Sequence, residues 1–178
     1  MNTWIINDNK FSADNIAWYG NKFLIGNGYI GIRGTMEEYG IDELPSINLA
    51  GVYDQVGDKW RESVNAPYAL YTYIEVDGKE YRLPQVEPCS HLQELDFKNA
   101  IHTRITSWKT DKGTVTVTSE RYASMANCHV TQIRCHTVFP PQKAPHPSAG
   151  SSAGKCWGLL HWCGRYHTMR QMRHEECP

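Results

Sequence analysis

From about residue 22 to residue 138 the dominant alternation of apolar and polar positions has a period of two, the signature of strands with one buried face. "YTYIEVDGKEYRL" (residues 71–83) places two alternating runs around Asp77-Gly78. That pair supplies the positive φ angles of a type I′ turn, so the stretch predicts a β-hairpin. "AIHTRITSWKTDKGTVTVTSERY" (100–122) repeats the arrangement, with Asp111 to Gly113 at the turn and Ile101, Ile105, Val115 and Val117 as the expected inward positions. Shorter strands are predicted at 22–25, 29–33, 47–53, 92–97 and 128–138, and no segment carries a convincing helical period. Many short strands joined by polar turns predict an all-β fold, an antiparallel β-sandwich.

The pattern changes past Phe139. "PPQKAPHPSAGSSAG" (140–154) has the composition of a linker, which buries too little apolar surface to offset the entropy of ordering. Residues 155–178 keep neither a period of two nor one of 3.6. The expected organisation is a β-sandwich domain at 1–139, a Pro/Ser/Gly-rich linker at 140–154 and an irregular Cys/His-rich tail at 155–178. The tail begins where a sandwich needs its next strands, and a shifted reading frame would account for the loss of pattern.

Length suits one domain: 178 residues bury roughly 70% of their unfolded surface. With 40% hydrophobic residues and a formal charge of -1, nothing favours disorder, a nucleic-acid partner or a membrane surface. The N-terminal "MNTWIINDNKF" has neither a basic leader region nor an apolar core, and no run approaches the ~18 apolar residues of a membrane span. The chain is therefore expected in the cytoplasm. There its six cysteines, five of them in the last third, would be thiols or metal ligands before they were bridges.

"GNGYIG" (26–31) has the G-x-G-x-x-G spacing of a dinucleotide loop, and Asp54 lies near where a ribose-binding acid would stand. The helix that such a loop must open is missing, because Gly34, Gly40 and Pro45 interrupt the following segment. "GSSAGKC" (150–156) fails as a phosphate loop: three residues separate its glycines where four are needed, and Cys156 stands at the Mg²⁺-binding hydroxyl position. The glycines suit a sheet better. Gly26, Asn27 and Gly28 fit a tight turn, while Gly31 and Gly34 mark a bulge or a close backbone approach.

Five stretches in order, "FLIGNGYIGIRGTMEE", "NLAGVYD", "SVNAPYAL", "LDFKNAIHTR" and "SERYASMANCHVTQIRC", resemble the N-terminal domain of glycoside hydrolase family 65. This family holds the maltose, trehalose and kojibiose phosphorylases and related acid trehalases. The likeness covers most of residues 4–135 and departs from the family at about His136. It implies part of a large β-sandwich (a super-sandwich) that precedes an (α/α)₆ barrel holding the catalytic carboxylate and the phosphate site. The barrel does not fit in the residues given, so the chain is expected to be inactive alone and to contribute no catalytic residue. The resemblance implies no cofactor, with inorganic phosphate as co-substrate and a disaccharide as substrate of the full-length parent, which is expected to be a homo-oligomer. The family-signature turn would be formed by Gly26, Asn27, Gly28, Gly31, Arg33, Gly34, Glu37 and Glu38, as structural residues.

An inverting phosphorylase needs one general acid at the glycosidic oxygen while phosphate attacks from the opposite face. Glu37 and Glu38 are the obvious carboxylate pair. Neighbours on an extended chain point to opposite sides, so a solvated turn or a pairing with Arg33 is the expected role. The tyrosines of "YALYTYIEV" could stack on sugars, but at period two they are first read as cross-strand packing. Cys156, Cys163, His167 and His174 form a possible zinc set, although their spacing lacks the short paired knuckles of structural zinc modules. Two further expectations are an alternative role as a free-standing interaction or carbohydrate-binding module, and association through exposed strands such as residues 114–120.

Overall fold

The computed structural model describes residues 4–72, 74–76 and 78–139, together with the backbone of 153–161. In chain order the elements are β1 (Ile5–Asp8), a helix α1 (Ile16–Lys22), β2 (Ile25–Gly26), β3 (Ile30–Ile32), β4 (Ile47–Val56), β5 (Trp60–Asn65), β6 (Glu75–Val76), β7 (Lys79–Glu80), β8 (Ser90–Asp96), β9 (Ile101–Thr110), β10 (Gly113–Ala123), β11 (Val130–Val138) and β12 (Ala153–His161). A six-stranded sheet runs β1-β8-β9-β10-β11-β12, a four-stranded sheet β2-β3-β4-β5, and β6 pairs with β7 alone. Every pairing is antiparallel.

Two apolar clusters join the layers. In the first, Phe23, Ile25, Ile30, Ile32, Ile47 and Leu49 pack against Leu95, Ile133 and Cys135 of the six-stranded sheet. In the second, Met36, Tyr39, Ile74, Tyr81 and Leu83 pack against Trp108 and Val117. Burial of this apolar surface is the main favourable term holding the sandwich together.

Several elements differ from the sequence pattern. The predicted strand at 22–25 shrinks to β2, and α1 precedes it, because Tyr19 at 4% and Phe23 at 0% exposure turn one face into the first cluster. The hairpin at 71–83 keeps only two-residue strands; Gly78 has φ 75°, and Asp77 lies outside the described residues. In the long hairpin Val115 and Val117 are buried as expected, but Ile101 and Ile105 are only half-buried. The inward row of β9 is His102, Arg104, Thr106 and Trp108. Residues 114–120 form no edge, since β10 has β9 on one side and β11 on the other. A strand, β12, takes in the last two residues of the expected linker and the first seven of the expected tail: it pairs along β11 from Val138↔Ala153 to Val130↔His161, using a row of backbone groups that β11 would otherwise leave open.

Gly34 is placed by close approach rather than by its own φ. A Cβ there would lie 2.6 Å from the Phe23 carbonyl carbon, while the Gly34 N–H donates to the Gly20 carbonyl at 2.8 Å. Gly34→Ala is expected to lower stability by about 1–3 kcal/mol through this overlap. Gly31→Ala, with no atom within 4 Å of the added carbon, is expected to be neutral or stabilising. Urea denaturation of the two variants side by side checks the contrast; equal midpoints would contradict it.

Candidate functional site

Strand register assembles a polar cluster on the inner face of the large sheet. Gln93 pairs with Arg104, Arg104 with Ser119 and Ser119 with Cys135, so these residues form one row across four strands. The adjacent row is Leu95, His102, Arg121 and Ile133. Gln93, Arg104 and Arg121 are 0% exposed, and His102 and Ser119 are 1% exposed. The cluster touches both apolar clusters: the His102 ring lies 5.6 Å from Phe23, and the Arg104 guanidinium lies 5.8 Å from the Trp108 ring.

Glu37 and Glu38 meet these cations. The segment after β3 is a turn rather than an extended strand, and residues 34–39 are all buried. Both carboxylates therefore reach the same partner, which corrects the expected solvated turn. Arg104 Nη1 donates to Glu37 Oε2 at 2.9 Å and also to Glu38 Oε2, while Nη2 donates to Glu38 Oε1 at 2.7 Å. Ser119 Oγ donates to Glu37 Oε1 at 2.8 Å, and Arg121 Nη1 stands 3.8 Å from the same oxygen. The Leu83 N–H adds a donor to Glu38 Oε1. Arg33, the expected partner, instead donates to the carbonyls of Leu44 and Ala17, both at 3.0 Å.

Electrostatics fix the protonation states. Burial alone would raise the pKa of Glu37, but the charges of Arg121 and Arg104 outweigh it and hold the carboxyl at about 2. Burial works against the Arg104 cation, and Glu38 and Glu37 more than compensate, raising its pKa further. His102 is held neutral by burial and then by Arg121. Arg121 Nε donates to His102 Nδ1 at 2.8 Å, so the ring hydrogen sits on Nε2. Burial and the Arg104 charge lower His91 to about 4.

A general acid must carry a proton at working pH, and Glu37 is ionised far below it. Glu38 is gripped by the fork of Arg104. The cluster is chemically a balanced set of two cations and two carboxylates, with Arg104 hydrogen-bonded to both carboxylates and Arg121 facing Glu37 as an ion pair, suited to fixing strand register rather than to moving protons.

The glycine-rich turn lies apart from this cluster. Asn27 Oδ1 accepts the N–H groups of Tyr29 and Ile30, and its Nδ2 donates to the carbonyls of Ser124 at 2.7 Å and Cys128 at 3.0 Å. One side chain thus ties the β2–β3 turn, where Gly28 has φ 86°, to the β10–β11 turn. Of the signature residues, Glu37 and Glu38 enter the cluster through their side chains and Gly34 through its carbonyl, which accepts from Gln93 Nε2 at 3.3 Å. Arg104, Arg121, His102 and Ser119 were not singled out from the sequence, although Trp108 shares the parity of Arg104 on β9 and could have indicated its inward face.

The second feature is an open cleft of about 640 Å³ beside the 3₁₀ turn Ile41–Glu43 and the base of β4 and β5. Arg33, Asn48, Ser63, Asn65, Tyr68 and Tyr71 are among its walls. Leu44, on its rim, has a left-handed backbone (φ 55°, ψ 47°) and is 56% exposed. No group of three or more metal-ligating side chains occurs among the described residues. Of the possible zinc set, Cys163, His167 and His174 lie outside the described residues, and only the backbone of Cys156 is described. Among the described residues no helix is long and apolar enough to cross a membrane.

An antiparallel sandwich whose two sheets close over a buried ionic cluster defines a β-domain. Comparison with known proteins says which one. The chain belongs to glycosyl hydrolase family 65, matching the N-terminal domain of that family over residues 6–142. The match thus runs a few residues beyond the expected departure at His136. The chain is 54% identical over 127 residues to nigerose phosphorylase of Lachnoclostridium phytofermentans, covering 71% of this chain and 17% of that protein. It is 33% identical over 132 residues to kojibiose phosphorylase of Caldanaerobacter subterraneus subsp. tengcongensis, covering 74% and 17%. In fold it resembles a solved putative kojibiose phosphorylase from human microbiome, with a TM-score of 0.70 at 18% identity over 75% of this chain and 19% of that one. The chain spans less than a fifth of the length of these relatives.

Proposed function

We propose that the chain serves as the N-terminal β-sandwich of a cytoplasmic phosphorylase of α-linked glucose disaccharides, with inorganic phosphate as the acceptor and the bond-breaking groups supplied outside the described domain. The observation that carries this reading is the 54% identity to a nigerose phosphorylase across the sandwich. Locked carboxylates support it, because Glu37 and Glu38 have their oxygens committed to Arg104, Ser119 and Leu83. The domain's part is then to present a rigid surface to the parent, which we take to be a homo-oligomer.

The purified 178-residue chain is expected to release neither glucose nor β-glucose 1-phosphate from nigerose, kojibiose, maltose or trehalose in phosphate buffer. Stabilising the transition state requires groups aimed at the anomeric carbon, and the oxygens of Glu37 and Glu38 are instead engaged by Arg104, Ser119 and the Leu83 N–H. Turnover that disappears in Glu37→Gln or Glu38→Gln while the chain stays folded would overturn the proposal.

A further inference from the structure

The geometry points to a saccharide-binding cleft on this domain itself, between the Ile41–Glu43 turn and the base of the β4–β5 hairpin, with Tyr71 as its stacking platform. The site goes beyond the phosphorylase reading, since it uses only side chains of the described domain and involves no bond cleavage.

The cleft's volume, about 640 Å³, lies within the range that holds small ligands. Its framework is pinned. Arg33 holds the Leu44 carbonyl, and Asn65 accepts from the Ile47 N–H at 2.9 Å while donating to the Pro45 carbonyl at 3.0 Å. Leu44 is thereby kept in a backbone conformation that side chains rarely adopt, a type of strain that collects at ligand clamps. Tyr68 is half-buried, its hydroxyl donating to the Met36 carbonyl at 3.2 Å, so its ring is a fixed wall.

The ligand class follows from what stays free. No carboxylate occurs among the described lining residues, and the guanidinium nitrogens Nη1 and Nη2 of Arg33 are committed to backbone carbonyls. Arg33 keeps its positive charge, but Nη1 and Nη2 are spent on the backbone and Nε is buried, so its hydrogen-bonding edge is turned away from a ligand. The solvent-facing groups are neutral: the Asn48 amide nitrogen, the Ser63 hydroxyl and the Tyr71 hydroxyl. Beside them stand apolar surfaces, with Tyr71 46%, Leu44 56% and Ile41 87% exposed. A pyranose matches that pairing, offering a ring of hydroxyls at its edge and C–H groups on its face. An aromatic face takes the C–H surface, and short amide and hydroxyl side chains take the hydroxyls.

Ligand-observed NMR and calorimetric titration of the folded 178-residue chain, with nigerose and maltose as probes and glycerol as the ringless control, test the site. Saturable binding in the millimolar range is expected, with none to glycerol. Tyr71→Ala should weaken it at least about tenfold and Asn48→Ala about threefold, while Tyr71→Phe, which keeps the ring, should bind nearly as well. Tyr71 and Asn48 are exposed, so urea midpoints should stay near that of the parent chain and separate lost binding from lost folding. Absence of saturable binding at tens of millimolar, equal binding of glycerol, or an affinity unchanged in Tyr71→Ala would overturn the proposal. Binding is read without turnover, so a chain that binds but does not cleave, or cleaves but does not bind, separates this inference from the phosphorylase reading.

Discussion

Arg104→Met is expected to remove about 3–5 kcal/mol of stability, a large part of the roughly 5–15 kcal/mol that holds a domain of this kind together. Methionine fills much of the space beside Trp108 but supplies no charge, so two carboxylates at 1% exposure would face each other with Arg121 alone to answer them. The cost is the penalty of unpaired buried charge, not the net worth of the bridges in the parent, which is far smaller. That distinction is testable. Adding Glu38→Gln to Arg104→Met should recover part of the loss, because the second change removes one of the orphaned charges. Arg104→Lys should rescue only partly, since a single ammonium cannot reproduce the fork that grips both oxygens of Glu38. Urea unfolding followed by tryptophan fluorescence reports it directly, as Trp108 is fully buried beside the guanidinium. Stability of Arg104→Met within about 1 kcal/mol of the parent would show the cluster to be energetically idle.

What made the sandwich legible was the period of two, and what hid its centre was the same period. Both faces of β9 carry plausible inward residues: Ile101 and Ile105 on one, His102, Arg104, Thr106 and Trp108 on the other. Hydropathy favours the first face. The fold chose the second because Trp108 needs the deepest site, and because Glu37 and Glu38, 66 to 67 residues earlier in sequence, arrive to neutralise Arg104. A pairing between a turn and a strand so far apart leaves no local trace, so each charge looked solvent-facing when read by itself. Gly34 shows the opposite case. Glycine before a polar turn suggested close backbone approach, and Phe23 is the backbone that approaches. The helix α1 was hidden because it has seven residues, one of them Gly20, too few and too permissive to display a helical period. Strand β12 was hidden because its partner edge, rather than its own pattern, organises it. The cleft was half legible: the tyrosine run suggested stacking, but the Asn48, Ser63 and Arg33 that share its walls come from other elements.

The second large effect is acid lability, and its direction follows from the neutral histidines. His91 is 5% exposed and His102 1%, and both titrate below the ordinary histidine value because burial and neighbouring arginines disfavour their charged forms. His91 packs on Phe11, bonds Thr106 Oγ1 at 2.9 Å and feels Arg104; His102 packs on Phe23 and accepts from Arg121. Below about pH 6.5 the unfolded chain takes up protons that the folded chain refuses, so stability falls as pH falls. For His91 the loss runs from about 6.5 down to the folded value of about 4. Between pH 7 and pH 5 it amounts to about 2 kcal/mol, with His102 contributing in the same direction. Glu37 adds nothing in that window. Its folded pKa of about 2 lies below the ordinary value of 4.5, so its share is complete above 4.5 and is lost only between there and about 2. The domain is therefore expected to lose stability through its histidines before Glu37 protonates. Urea midpoints at pH 7 and pH 5 should differ by the equivalent of at least about 2 kcal/mol, and the difference should survive added salt because the groups are out of reach of screening ions. His91→Gln, which keeps a polar side chain but cannot charge, should flatten the pH dependence by about 2 kcal/mol. Coinciding midpoints at the two pH values, or a pH dependence unchanged in His91→Gln, would contradict the assignment of buried neutral histidines.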